Sequence, residues 1–340
     1  MSPKPIRISA SQYSIEPLQF TALRTYPLAS RPSKVHIRDF ARPHRRGGSF
    51  REFLDSLPRI LAGNDLRAVA TAIERARRSG RAVLWGLGGH VIKVGLAPVL
   101  IDLMRCGFVS AIAMNGAAMV HDFEIALAGN TSEDVDAALG RGKFGMAEET
   151  GLYLNEAAVG AWHSGIGLGE AAGKLLASGR LKLRCPGQSL LAAAFRARIP
   201  VTVHLAIGAD IPHMHRSAVG EALGAATHHD FRLFCALVKR MHPGGVYLNW
   251  GSAVLLPEIF LKAVTVVRNL GTALAPITTA NFDFIQHYRP LQNVVHRPTA
   301  TARGSRGYAL TGHHEILLPL IAAALVESAG RRPSPRPRKK

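Results

Sequence analysis

The stretch RAVLWGLGGHVIKVGLAPVLIDLMRCG, residues 81–107, decides the fold. Its apolar run at 82–85 suits a buried strand, a glycine turn follows at 86–89, and the remainder keeps helical spacing to Gly107. The next stretch, FVSAIAMNGAAMVHDFEIALAG, repeats the scheme with a strand at 109–114, a turn at 115–117 and a helix through 121–127. Further along, a helix leads into the strand of IPVTVHL, residues 199–205, and a helix at 230–241 precedes the strand of GGVYLNWGSAV. A helix at 256–271 then precedes the strand of LAPITTANFDF, and a last helix spans 314–326. Two amphipathic helices open the pattern, the first capped by Ser49 and the second closed by Gly80, and residues 132–178 read as mostly helical. Strands alternating with helices through short glycine turns predict an α/β fold: a doubly wound, mostly parallel Rossmann-type sheet with helices on both faces.

Composition bounds the rest. The chain has 340 residues, of which 47% are hydrophobic, enough to bury a large core. No apolar run reaches the roughly 20 residues that cross a bilayer. The three cysteines, Cys106, Cys185 and Cys235, form no CxxC and no pairing pattern, as expected of a cytoplasmic chain. The net charge of +19 is concentrated at the ends. Residues 1–50 carry nine Lys and Arg against Glu16 and Asp39, and RRPSPRPRKK at 331–340 carries six with no acid. We therefore expect a basic, largely irregular extension at 1–48, one domain at 49–328 and a basic disordered tail at 329–340. The charged ends suit nonspecific contact with nucleic acid more than a folded binding face.

In such sheets ligands bind beyond the carboxyl ends of the strands. The strand-end turns fall at 86–90, 115–118, 208–215, 250–252 and 278–283, and they hold nearly every unusual polar residue. WGLGGH lacks the lysine of a P-loop and the full GxGxxG spacing, so a phosphate cradle and a packing turn both remain open. The turn at 208–215 gathers Gly208, Asp210, His213 and His215, which suits a cofactor loop, a catalytic cluster, a metal site or a polar turn. No HExxH or CxxC pattern fixes a metal, and none is assigned. There is no GxSxG nucleophile elbow. His121 and Asp122 are expected in a first helical turn, and Trp250 either stacks on a planar ligand or packs against a helix.

With these turns in order, the chain resembles the deoxyhypusine synthase family. IPVTVHLAIGADIPHM, NGAAMVHD, GGVYLNWGSAVLLPEI, ITTANFDFIQHYRPLQNVVHRP and HHEILLPLIAAALVE are similar, in sequence order, to segments of that family across residues 80–328. The resemblance implies a homotetramer or other homo-oligomer that binds NAD. NAD would contact Asn115, Gly116, Ala117, Gly208, Asp210, Gly251, Ser252, Thr279, Ala280, Asp283, His313 and His314. His121 and His213 would carry catalysis, and Trp250, Gln292 and His296 would meet the substrate. Pro298 falls where the family has its imine-forming lysine, and His121, His213 and Gln292 replace acids that hold a polycationic amine. The resemblance therefore implies an NAD-binding relative that acts on another small molecule, by hydride and possibly amine-group transfer. A non-catalytic scaffold and a histidine-based metal enzyme are the alternatives.

Overall fold

The computed structural model describes residues 11–329, so most of the basic tail lies outside the described residues. The chain divides into two units, residues 1–39 and 40–340. In the first, residues 11–39 form two short 3-10 turns, Leu28–Ser30 and Ile37–Asp39, and leave Tyr13, Leu18, Phe20 and Tyr26 exposed.

The second unit carries one six-stranded sheet, with strands β1 Val83–Leu87, β2 Ala111–Asn115, β3 Val201–His204, β4 Val246–Trp250, β5 Thr278–Asp283 and β6 Arg306–Thr311. All neighbours are parallel, in the order β3-β2-β1-β4-β5-β6. Two halves wind outward from β1 and β4, as the alternation in the sequence predicted. β6 escaped the sequence reading because RGYALT is an edge strand with only Leu310 fully buried, so it lacks a continuous apolar run.

The helices are α1 Phe50–Ser56, α2 Leu61–Arg78, α3 Gly89–Lys93, α4 Ala97–Arg105, α5 Gly116–Ala128, α6 Val135–Leu139 and α7 Glu148–Ser164. They continue with α8 Leu168–Ala177, α9 Leu190–Ala197, α10 Gly220–Lys239, α11 Leu255–Asn269, α12 Tyr288–Pro290, α13 Arg297–Ala300 and α14 His314–Ser328. A π turn, Leu291–His296, joins α12 to α13. Ser49 caps α1, as expected, and does so through a reciprocal capping box with Glu52.

Alternate side chains of each strand enter opposite layers. Val83, Trp85 and Leu87 join a core with α2, α4, α5, α9 and α14, whereas Leu84 and Tyr247 join a second with α10 and α11. In the first core, Trp85, Trp250 and Phe282 stack across three strands. Trp250 lies 3.9 Å from Phe282 and 5.9 Å from Trp85, with planes 3° and 5° apart. Trp250 is fully buried. This corrects the expectation that its ring meets a ligand: it faces into a helix layer instead.

Candidate functional site

The parallel register brings the strand ends level. Asn115 pairs with His204, Leu87 with Met114 and Trp250, and Asp283 with Thr311. Asn115, Gly116, Ala117, Asp210, Gly251, Ser252, Asp283, His313 and His314 therefore gather at one edge of the sheet. Thr279 and Ala280 do not. Both are buried inside β5, where Thr279 Oγ1 donates to the Val294 carbonyl. Their turn was placed too early because the strand continues to Asp283.

At the centre of this edge the backbone closes on itself. The Gly88 amide donates to the Trp250 carbonyl at 2.8 Å, and a Cβ on Gly88 would lie 2.2 Å from the Gly251 carbonyl oxygen. Gly251 has φ +64° and faces the His314 ring. The helix after this turn, α3, is only five residues long. Gly88 thus serves close packing against the turn after β4 and Gly89 against Ala117 of α5, and the phosphate-cradle reading of WGLGGH is set aside.

Open space lies to one side, over β2 and β3. A cavity of about 1030 Å³ is lined by Lys93, Ala117, His121, Glu124, Thr131, Glu133, Lys143, Glu149, Thr150, Asp210 and neighbouring apolar residues. α5 supplies its floor. Asn115 caps this helix by accepting from the Ala118 amide, and Gly116 leaves room for the Asp210 carboxyl, whose carbon a Cβ there would approach to 2.3 Å. Asp210 accepts from the Ala206 amide at 2.7 Å, which ties the loop after β3, and burial raises its pKa.

His121 lies one turn further along α5 than the sequence suggested, as its sixth residue. Its Nδ1 meets Thr131 Oγ1 at 2.8 Å. Thr131 in turn donates to Glu124 at 2.5 Å, and Thr150 donates to the other oxygen of Glu124 at 3.0 Å. Burial, then Lys93 and His90, lowers the pKa of His121. Glu124, Thr131 and Thr150 were not legible as site residues: they come from α5, the loop after it and α7. Only the three-residue spacing of His121 and Glu124, which places both on one helix face, hinted at the pairing.

Asp122, beside His121, was expected to face the helix dipole. It is buried instead, accepting from Ser189 Oγ and from the Leu190 and Leu191 amides, with a pKa pushed up to about 6 by burial. It fastens α9 to α5.

His213 sits in a single turn, Ile211–Met214, with Nδ1 on the Asp210 carbonyl at 3.0 Å. Its Nε2 is buried without a hydrogen-bond partner among the described residues, so it presents no free nitrogen to the cavity. His215 Nε2 meets the Gly145 carbonyl at 2.8 Å. Gln292 and His296 lie on the π turn and do not line this cavity.

A second cluster sits at the ends of β5 and β6. His314 is buried, with Nε2 3.2 Å from the Phe282 carbonyl and 3.7 Å from Asp283, and its ring lies 5.3 Å from that of His90. Burial lowers its pKa, and its Nδ1 has no partner among the described residues. His313 stacks on Phe284 at 5.9 Å. Among the described residues, no three or more His, Cys, Asp and Glu converge as a metal-binding group, and no helix is long and apolar enough to cross a membrane.

His204, at the end of β3, is a structural histidine. Burial depresses its pKa to about 3, and its Nε2 meets Thr202 Oγ1 at 3.0 Å. The folded state keeps it neutral, so its stabilising contribution is complete above pH 6.5 and is lost as pH falls toward 3. In denaturant titrations, the stability gap between the parent and His204→Gln is expected to shrink by about 1.4 kcal/mol per pH unit between pH 6 and pH 4. A gap independent of pH would refute the neutral assignment.

No protein-family model matches the sequence, and no curated protein is detectably similar to it. Solved structures are similar in fold. A candidate conserved LOR/SDH protein from Methanococcus maripaludis S2 superposes with a TM-score of 0.50 at 16% identity, covering 79% of this chain and 71% of that one. The two share an α/β fold. AgrE, in its complex with ornithine and NAD⁺, gives a TM-score of 0.48 at 18% identity over 77% of this chain, which spans only 33% of AgrE. A candidate deoxyhypusine synthase from Entamoeba histolytica gives 0.45 at 12% identity, over 84% of this chain and 96% of that one.

Proposed function

We propose that the chain is a deoxyhypusine synthase-like enzyme that binds NAD along the strand-end edge and acts on a small molecule in the cavity over β2 and β3. The observation that carries this reading is the cavity itself, whose wall combines an imidazole at His121 with a carboxylate at Asp210 beside the first turn of α5. Sites that bind small molecules are concave, mostly apolar and furnished with a few converging polar groups.

The residues present fit a dinucleotide laid along the edge in all but two respects. Asp210 supplies an acceptor for ribose hydroxyls near Asn115, Gly116, Ala117 and Gly208. Gly251 and Ser252, then Asp283, then His313 and His314 follow along the same edge, at the ends of β4, β5 and β6. His314 Nδ1 is an orphaned polar atom among them. The exceptions are Thr279 and Ala280, buried inside β5, and the closed turn after β1, which leaves no diphosphate cradle there. Bound nicotinamide would supply a hydride acceptor. His121 would then hold or take the proton of a reacting hydroxyl or amine, which its lowered pKa suits, since it is neutral at pH 7.

Thermal unfolding with and without NAD tests the reading. A dinucleotide held at 100 times its Kd stabilises the fold by about 2.7 kcal/mol, so Tm should rise by several degrees. Asp210→Ala should abolish most of that rise. An unchanged Tm at millimolar NAD would end the proposal.

A further inference from the structure

A carboxylate has no proton to give. Both hydroxyls that reach Glu124 therefore donate to it, Thr131 Oγ1 to one oxygen at 2.5 Å and Thr150 Oγ1 to the other at 3.0 Å. Thr131 has one hydroxyl proton, and that proton points at Glu124. Its oxygen can engage His121 Nδ1, 2.8 Å away, only as an acceptor. Nδ1 must then carry hydrogen. A neutral imidazole has a single N–H, so its other nitrogen is left with a lone pair. His121 Nε2 makes no hydrogen bond to any described residue and, unlike His213 Nε2, is not sealed away from solvent.

We propose that Glu124 and Thr131 form a positioning relay that fixes His121 as its Nδ1–H tautomer and aims Nε2 at the cavity as the proton acceptor for a ligand O–H or N–H. The inference rests on reading this cavity as the active site. His121 would touch the ligand, whereas Glu124 and Thr131 act through it. The transfer balances: the ligand's O–H or N–H bond breaks, an Nε2–H bond forms, and the bonding pair stays on the ligand's oxygen or nitrogen. The imidazolium so formed keeps its Nδ1–H on Thr131, one hydroxyl away from the negative charge of Glu124. A carboxylate oriented in this way stabilises the cation and holds the ring against rotation.

The local fold explains why three separate segments meet. His121 and Glu124 are three residues apart on α5, which ends at Gly129 in the left-handed conformation. That turn sends the chain back to Thr131. Thr150, buried near the start of α7, holds the second oxygen of Glu124 and prevents the carboxylate from swinging away.

The test needs neither substrate nor cofactor. In ¹⁵N-labelled full-length protein above neutral pH, long-range ¹H–¹⁵N correlation should show His121 with a protonated Nδ1 and an unprotonated Nε2. Thr131→Val should shift the tautomer ratio toward Nε2–H by about tenfold, the worth of one hydrogen bond, and Thr131→Ser should restore it. Glu124→Gln should shift the ratio the same way, because an amide can donate to Thr131 and release the hydroxyl proton toward His121. An Nε2–H tautomer in the parent, or a ratio unchanged in both Thr131→Val and Glu124→Gln, would overturn the relay. If the tautomer is as stated but NAD leaves Tm unchanged, the relay stands and the cofactor reading fails.

Discussion

Asp230→Ala is expected to lower stability by about 3 kcal/mol, and Asp230→Asn by far less. Asp230 lies on α10, fully buried, and accepts from the Val203 amide at 2.8 Å and the Gly169 amide at 2.9 Å. It thereby joins the end of β3 to the start of α8. Alanine would leave both amides without partners, and each buried donor so stranded costs about 1–3 kcal/mol. Asparagine keeps one acceptor oxygen in place. The pH dependence sharpens the contrast. Burial lifts the Asp230 pKa to about 7, well above its ordinary 3.8. Its contribution is therefore complete below pH 3.8 and is lost as pH rises through 7. The advantage of the parent over Asp230→Asn should shrink over that window, opposite in sign to the His204 case. Guanidinium unfolding at pH 5 and pH 8 measures both effects. Equal losses for alanine and asparagine would show that the amides do not depend on this oxygen.

Gly88→Ala is expected to have the larger consequence for the site. The added carbon would sit 2.2 Å from the Gly251 oxygen and 2.6 Å from its carbonyl carbon, and backbone cannot rotate aside as a side chain can. Forced contacts of this kind cost about 3 kcal/mol and are relieved by shifting the backbone. Here the shift would part β1 from β4 at their carboxyl ends, break the Gly88–Trp250 hydrogen bond and disturb His314 behind Gly251. Gly160→Ala is the control. Gly160 is exposed inside α7 with open space around it, so alanine should stabilise by up to about 1 kcal/mol through helix propensity. Urea titration of the two variants decides the matter: similar values for both would mean that the β1 turn tolerates a side chain.

The architecture was largely readable in the sequence because parallel strands buried on both faces leave apolar runs, and each helix between them leaves its own period. β6 stayed hidden for the converse reason, since an edge strand is buried on too few positions to leave a run. Apart from the turn expected at 278–283, which lies wholly inside β5, the turns fell at or just beyond strand ends, and Asn115, Asp210, Asp283 and His314 do gather at one edge. What a turn cannot reveal is the direction of a side chain. Trp250 and His314 stand at strand ends and point inward, Asp122 anchors α9 rather than capping its own helix, and Glu124 works through Thr131, a residue whose place depends on the loop after α5. Side-chain direction is set by packing between segments far apart in sequence, and no local pattern records it.

The stacked Trp85 and Trp250 give the molecule a native optical gauge. Two parallel, stacked indoles in a dry core should couple in the near ultraviolet, producing a circular dichroism signal that vanishes once the central strands separate. Trp162, 43% exposed on α7, emits from a wetter environment and would serve as the internal reference. Opening of the central sheet can thus be followed without any attached dye.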